Sequence, residues 1–416
     1  MTMVMLFSAT LTISGATSSV HDEDFAAFHN ALVEEFGAEF ASNYHQAMQS
    51  VHKLYEIFPR NRVGDVMYPE YFGGMYVNDY GRLNVLIVEA VMMPFSADGL
   101  FSSLSADTNI RQVQFSLNEL WATQNFLNVI IPAKRDIVPA ATNAHAWYIC
   151  VINNYVGIKL LSYSPYEINL FREEVFNSPV LVFSGFVDAG EQPSHPIETI
   201  QYSFEEYVSS QFIHILRLRP GDPIEITRDN RLIDTGSIGF YATRGSARGF
   251  VTAAHLGGVG GALQVGDVVL WHGVAIGTVE VVQLQHVDAA FIRLGVDDPS
   301  RFQLEFQNYS RHGNRVSTIP FDMPLVGAVV NLQARHNNSW GRVTIASFTG
   351  GNITNGLLAD YATQQGDSGG LVYFQDMWPS NSLVVGIHIG RDRPGGYALI
   401  SRATSINGRL ATTLRR

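Results

Sequence analysis

From about residue 212 onward the chain is a succession of short runs rich in Val, Ile, Phe and Thr, separated by Gly, Asn and Asp. Residues 237–242, 249–253, 267–271, 277–282, 290–294, 328–332, 342–345 and 383–387 are each too short for a stable helix, and each is followed by turn-forming residues. Many short strands at regular spacing point to an all-β barrel or sandwich for this half. A short helix ending at Leu410 closes the pattern.

The first half reads differently. Phe25, Phe28, Leu32 and Phe36, then Tyr44, Met48, Val51 and Leu54, recur at helical spacing over 22–56, with Gly37 as an interruption. Residues 71–88 form two apolar runs around Asn78-Asp79-Tyr80-Gly81, which predicts a hairpin. The plan repeats: Ile110, Val113, Leu117, Leu120 and Trp121 predict a helix over 110–127, and 146–161 predicts a second hairpin around Asn153-Asn154. An α+β half built from two helix-plus-hairpin units therefore precedes the β-rich half.

With 416 residues the chain is long enough for two or three domains. A net charge of −11, and no Lys/Arg run, argue against nucleic acid as a partner. Lys53, Lys134 and Lys159 are the only lysines. The single cysteine, Cys150, excludes an intrachain disulfide and reads as a small core residue within an apolar run. No His/Asp cluster has metal-ligand spacing, so no metal or organic cofactor is expected. Residues 1–20 are apolar and then small, like an export signal without its positive start, and no other stretch is long and apolar enough to span a membrane.

Gly366-Asp367-Ser368-Gly369-Gly370 carries the chemistry. In isolation this is equally a tight turn, because Gly, Asp and Ser all favour turns. A serine hydroxyl becomes a nucleophile only when a base takes its proton and a third group orients that base. His255 ends the apolar run 249–253 after two small residues, and Asp288 stands just before the run 290–294, where its buried carboxylate would need a donor such as a histidine N–H.

Thr252-Ala253-Ala254-His255, Asp288-Ala289-Ala290 and Gly366-Asp367-Ser368-Gly369-Gly370, in that order, resemble the three signatures of chymotrypsin-like serine proteases. Residues 238–255 are similar to the corresponding stretch of the alpha-lytic protease and streptogrisin branch. The resemblance implies an all-β double β-barrel protease domain at 217–416, preceded by an α+β pro region at 21–216 and a signal segment at 1–20. It implies catalytic His255, Asp288 and Ser368, an oxyanion hole from the backbone of Gly366 and Ser368, and Asp367 anchored by a cation, with Arg335 the nearest by position. Thr363 and His388 resemble the pair that reads a Glu side chain in glutamyl endopeptidases; His388 reads equally as a satisfied core histidine. A secreted, bacterial serine endopeptidase made as a zymogen follows, acting on protein or peptide substrates and inhibited by its own pro region. Two other readings stand beside it, a catalytically idle binding module of protease-like fold and an uncleaved two-domain protease with a permanent N-terminal partner domain. Leu256 stands where relatives carry a cysteine, and an insertion at 374–381 lies near the implied pocket.

Overall fold

The computed structural model describes residues 17–62, 66–89, 91, 104–105, 107–186, 214–258, 261–295, 302–306, 316–320, 325–375, 382–392 and 396–414. The first sixteen residues of the expected signal segment, and residues 376–381 of the expected insertion, lie outside these. Among the described residues no helix is long and apolar enough to cross a membrane.

The N-terminal half consists of α1 (Thr17–Phe36), α2 (Ala38–Ile57), β1 (Phe72–Val77), β2 (Leu83–Val88), β3 (Asn109–Val113), α3 (Leu117–Lys134), α4 (Pro139–Asn143), β4 (Ala144–Cys150), β5 (Tyr155–Leu160), α5 (Pro165–Glu174) and β6 (Leu181–Gly185). The helical pattern over 22–56 is present as two helices, broken at Gly37, whose φ of 91° suits glycine. Both expected hairpins form, as β1–β2 and β4–β5.

The helix expected over 110–127 starts later, at Leu117. The Ser116 hydroxyl accepts the Glu119 N–H at 3.2 Å while the Glu119 carboxylate accepts the Ser116 N–H at 2.7 Å, a capping box that fixes the first turn. Residues 109–113 instead form β3, parallel to β2, and Ile110 is 51% exposed, so the helical spacing of Ile110 and Val113 marked no buried face. Likewise β6 runs parallel to β5. Each unit is thus a hairpin with a third strand added parallel to its second, which strengthens the duplication. Cys150 is only partly buried rather than a core residue, because it falls on the outward alternation of β4.

The second half begins with β7 (His214–Leu218), β8 (Pro223–Arg228), β9 (Arg231–Ser237), β10 (Tyr241–Arg244), β11 (Ala247–Thr252), β12 (Val268–Trp271), β13 (Val274–Gln283) and β14 (Ala289–Leu294). It continues with β15 (Phe302–Phe306), β16 (Val316–Pro320), β17 (Val329–Gln333), β18 (Asn338–Gly350), β19 (Ile353–Ala359), β20 (Leu371–Gln375), β21 (Ser382–Asp392), β22 (Tyr397–Arg402), α6 (Ala403–Leu410) and β23 (Thr413–Leu414). The run expected at 237–242 covers the end of β9, a link and the start of β10. β7 pairs with β15 in parallel, so the expected boundary at 217 falls inside a paired strand of the second half.

The first sheet has the order β23-β10-β11-β14-β13-β12-β8-β9. Residues 238–240 carry the chain from β9, at one edge, to β10 near the other; Gly239 N–H donates to Val251 O and Val251 N–H to Phe240 O, both at 2.9 Å. So short a link requires the sheet to curl into a barrel, around fully buried Ile224, Ile226, Phe240, Phe250 and Phe291. The second sheet has the order β17-β20-β21-β22-β19-β18, and β17 pairs again with β18, which closes six strands. The result is the double β-barrel that the sequence resemblance implies, preceded by an α+β half.

The N-terminal half docks on the second barrel. Phe348, Thr349 and Gly350 of β18 pair with Tyr148, Trp147 and Ala146 of β4, so one sheet runs from the barrel into β4, β5 and β6. Elsewhere Val77 N–H donates to Val326 O at 2.9 Å, and the Tyr44 hydroxyl accepts the Val329 N–H at 3.0 Å. Leu54, Phe72 and Leu83 share one apolar core with Val329, Leu332 and Val385.

Candidate active site

The two barrels contribute different residues to one cleft. His255 follows β11 after Ala253 and Ala254, both fully buried, and Asp288 immediately precedes β14. Ser368 lies three residues before β20, in the second barrel. The loop before Asp288 is tied across the gap, with Thr354 N–H donating to His286 O at 3.0 Å and His286 Nδ1 lying 3.0 Å from Thr354 Oγ1.

The three side chains meet in line. His255 Nδ1 is 2.6 Å from Asp288 Oδ2, and His255 Nε2 is 2.9 Å from Ser368 Oγ. Since a carboxylate accepts, Nδ1 carries the ring proton and Nε2 offers its lone pair to the Ser368 hydroxyl. Asp288 Oδ1 accepts the N–H groups of Ala254, at 2.7 Å, and His255, at 3.0 Å, which fixes the carboxylate and satisfies its burial. Burial alone disfavours charge on His255, but the hydrogen bond to Asp288 and the charges of Asp288 and Asp234 outweigh it and raise its pKa above 6.5. The His255 side chain stays 36% exposed against 14% for Asp288, so the base is reachable and its orienting partner is covered.

The nucleophile loop depends on its glycines. Gly369 has a φ of 87°, and a Cβ there would lie 2.1 Å from Thr252 Oγ1 and 2.5 Å from Ser237 O. Gly366 has a φ of 92°. Among the described residues, neither the Gly366 nor the Ser368 N–H donates to another group. Asp367 is fully buried and accepts from Gln364 N–H at 2.8 Å, His336 N–H at 3.0 Å and the Asn337 side-chain amide. Arg335, the cation expected for it, makes no recorded ion pair with Asp367; its backbone N–H goes to Ser237 Oγ at 2.8 Å.

Ser237 had no sequence signal. It is fully buried, its N–H donates to Ser368 O at 2.9 Å, and its hydroxyl donates to Gly366 O at 3.0 Å while accepting from Arg335. Its carbonyl accepts from Thr252 Oγ1 at 2.8 Å. One serine at the end of β9 therefore fastens the Gly366–Ser368 loop to the first barrel.

Thr363 and His388 are not bonded to each other. Thr363 accepts from Arg391, whereas His388 is buried with Nδ1 3.4 Å from the Tyr361 hydroxyl. Burial, then the nearby charges of His255 and Arg391, push the His388 pKa down to about 3. Its backbone flanks the nucleophile: Gly369 N–H donates to His388 O at 2.8 Å and His388 N–H to Gly370 O at 2.9 Å. Among the described residues no group of three or more His, Cys, Asp or Glu could hold a metal ion.

Comparison with known proteins places a family match in the N-terminal half. Residues 118–185 match the family described as Pro-like C-terminal domain. The chain is similar to bacterial chymotrypsin-like proteases of the alpha-lytic type, with a pro region. Thermobifida fusca Protease A is 20% identical over 48% of this chain and 98% of its own, with a TM-score of 0.37. Nocardiopsis protease is 22% identical over 48% of this chain and all of its own, with a TM-score of 0.36. A glutamic-acid-specific serine protease, described as using a histidine triad in substrate binding, is 20% identical over 48% and 100%, with a TM-score of 0.37. No curated protein sequence matches the chain.

Proposed function

We propose that the chain is a secreted serine endopeptidase, made as a zymogen whose N-terminal half assists folding and inhibits the enzyme until it is cut away. The observation that carries this reading is the unbroken pair of hydrogen bonds from Ser368 through His255 to Asp288, at 2.9 and 2.6 Å.

In the proposed reaction Ser368 Oγ attacks the scissile carbonyl as its proton passes to His255 Nε2. Asp288 stabilises the imidazolium, and the N–H groups of Gly366 and Ser368 receive the oxyanion, each donor worth roughly 3–4 kcal/mol in comparable sites. The C–N bond breaks as the proton on Nε2 moves to the leaving amine. A water molecule, deprotonated by His255, then hydrolyses the acyl-enzyme. Thr363 and His388 are proposed as pocket residues, with cleavage after Glu.

The shared core and continuous sheet support the reading of the N-terminal half as a folding partner of the second barrel. A fluorophosphonate probe tests the chemistry: it should label the wild-type protein and spare Ser368→Ala. Equal labelling of both would overturn the assignment. Mass analysis tests the zymogen, which should yield a product of about 200 residues; a full-length species as the sole active form would favour a permanent partner domain.

A further inference from the structure

One charged group beside the proposed cleft lacks a carboxylate partner among the described residues. Arg391 lies on β21, three positions beyond His388. Residues three apart on a regular strand face opposite sides. Here the register against β22 slips between His388 and Gly390, so His388 stands opposite Ile400 and Arg391 opposite Ala398. Ile400 and Ala398 are two apart and share a face, so the extra residue in β21 returns Arg391 to the face of His388.

That face borders the nucleophile loop. The backbone of His388 is bonded on both sides to Gly369 and Gly370, next to Ser368. Arg391 reaches the other end of the same loop, donating from Nε to Thr363 Oγ1 at 2.6 Å and from Nη2 to Thr363 O at 3.1 Å. The guanidinium thus bridges the strand and the loop that together wall the crevice beside Ser368. These bonds occupy two of its five N–H groups, and Arg391 is exposed. The neighbouring carboxylate, Asp392, is engaged by Lys159 at 3.1 Å. His388 cannot supply the positive charge itself, since it is buried and neutral in the free site.

We propose that Arg391 is the specificity-determining cation of this pocket and pairs with the carboxylate of a substrate glutamate immediately before the scissile bond. The inference rests on the protease reading of the same site. Guanidinium and carboxylate match as a two-pronged hydrogen-bonded pair, and the Thr363 contacts hold Arg391 in place for it. A purely structural clamp between β21 and the loop would instead matter equally for every substrate.

The test uses the full chain after maturation, with peptides that differ only in Glu, Gln, Phe or Lys before the scissile bond, and fluorophosphonate labelling in parallel. Wild type should favour Glu. Arg391→Ala should lower kcat/KM for Glu about 10- to 100-fold more than for Gln, chiefly through KM. Arg391→Lys, which retains the charge, should keep Glu above Gln, and Arg391→Glu should move the preference to Lys. Labelling combined with a wild-type preference for Phe, or an equal loss on all peptides in Arg391→Ala, overturns this inference and leaves the protease reading standing. A wild-type protein that is neither labelled nor active overturns both.

Discussion

Lys159 Nζ lies 3.1 Å from Asp392 Oδ2, an ion pair that joins β5 of the N-terminal half to β21 of the second barrel. Both side chains are largely covered, 17% and 8% exposed, so the pair is neither a free surface bridge nor fully dry. Lys159→Met should destabilise the full chain by about 1–3 kcal/mol, between values for exposed and buried pairs. Denaturant unfolding measures this. Asp392→Asn in the same chain should recover part of the loss, because it removes the stranded charge; two independent, additive losses would contradict a direct pair.

Ser237 should matter to catalysis without touching substrate. Ser237→Ala removes the donor to Gly366 O and the acceptor for Arg335 N–H, both in a buried site. Unmet buried groups of this kind cost about 1–3 kcal/mol. The expected result is a fall in kcat with little change in KM, as the Gly366 N–H loses its aim. Fluorophosphonate labelling should be slowed rather than lost.

His255 sets the acid limb of activity. The base works only when neutral, and its pKa is raised above 6.5, so kcat/KM should climb with pH through a midpoint above 6.5. The same shift means that stability from the His255–Asp288 pair is complete below 6.5 and fades as pH rises through the folded pKa. Asp288→Asn should lower kcat by about 10⁴-fold and abolish this limb. An unchanged limb in that variant would assign it to another group.

The helical hairpin holds an acid-sensitive contact. His29 Nδ1 is 2.9 Å from His45 Nε2, with the rings stacked 5.0 Å apart. Burial, then the charge of His29, push the His45 pKa down to about 4. A histidine held neutral in the fold stabilises fully above about 6.5 and loses that contribution as pH falls toward 4. Hydrogen exchange in α1 and α2 should therefore quicken between pH 6.5 and 4, and His45→Gln should flatten the dependence.

Much of the architecture was legible because it is written locally. The Ser368 loop needs glycines for its own φ angles, and His255 and Asp288 sit next to apolar strands that carry them to one cleft. The hairpins at 72–88 and 144–160 announced themselves through turn residues between apolar runs. What escaped depends on distant partners. β3 has no apolar alternation because it pairs by backbone at a sheet edge, so the spacing of Ile110 and Val113 suggested a helix. Ser237 looked like any strand-end serine until the nucleophile loop lay against it. The β-bulge that turns Arg391 toward His388 is a matter of register against β22, which no local pattern encodes. Asp367 found backbone and amide donors where a cation had been expected.

The continuous sheet has a consequence for the life of the molecule after cleavage. Departure of the N-terminal half would strip Tyr148, Trp147 and Ala146 from Phe348, Thr349 and Gly350, leaving a hydrogen-bonding edge open to water and to any extended chain. Such an edge is a template for strand addition. The first extended chain in reach is the departed half itself, so the freed fragment would act as a competitor for its own birthplace until it is degraded.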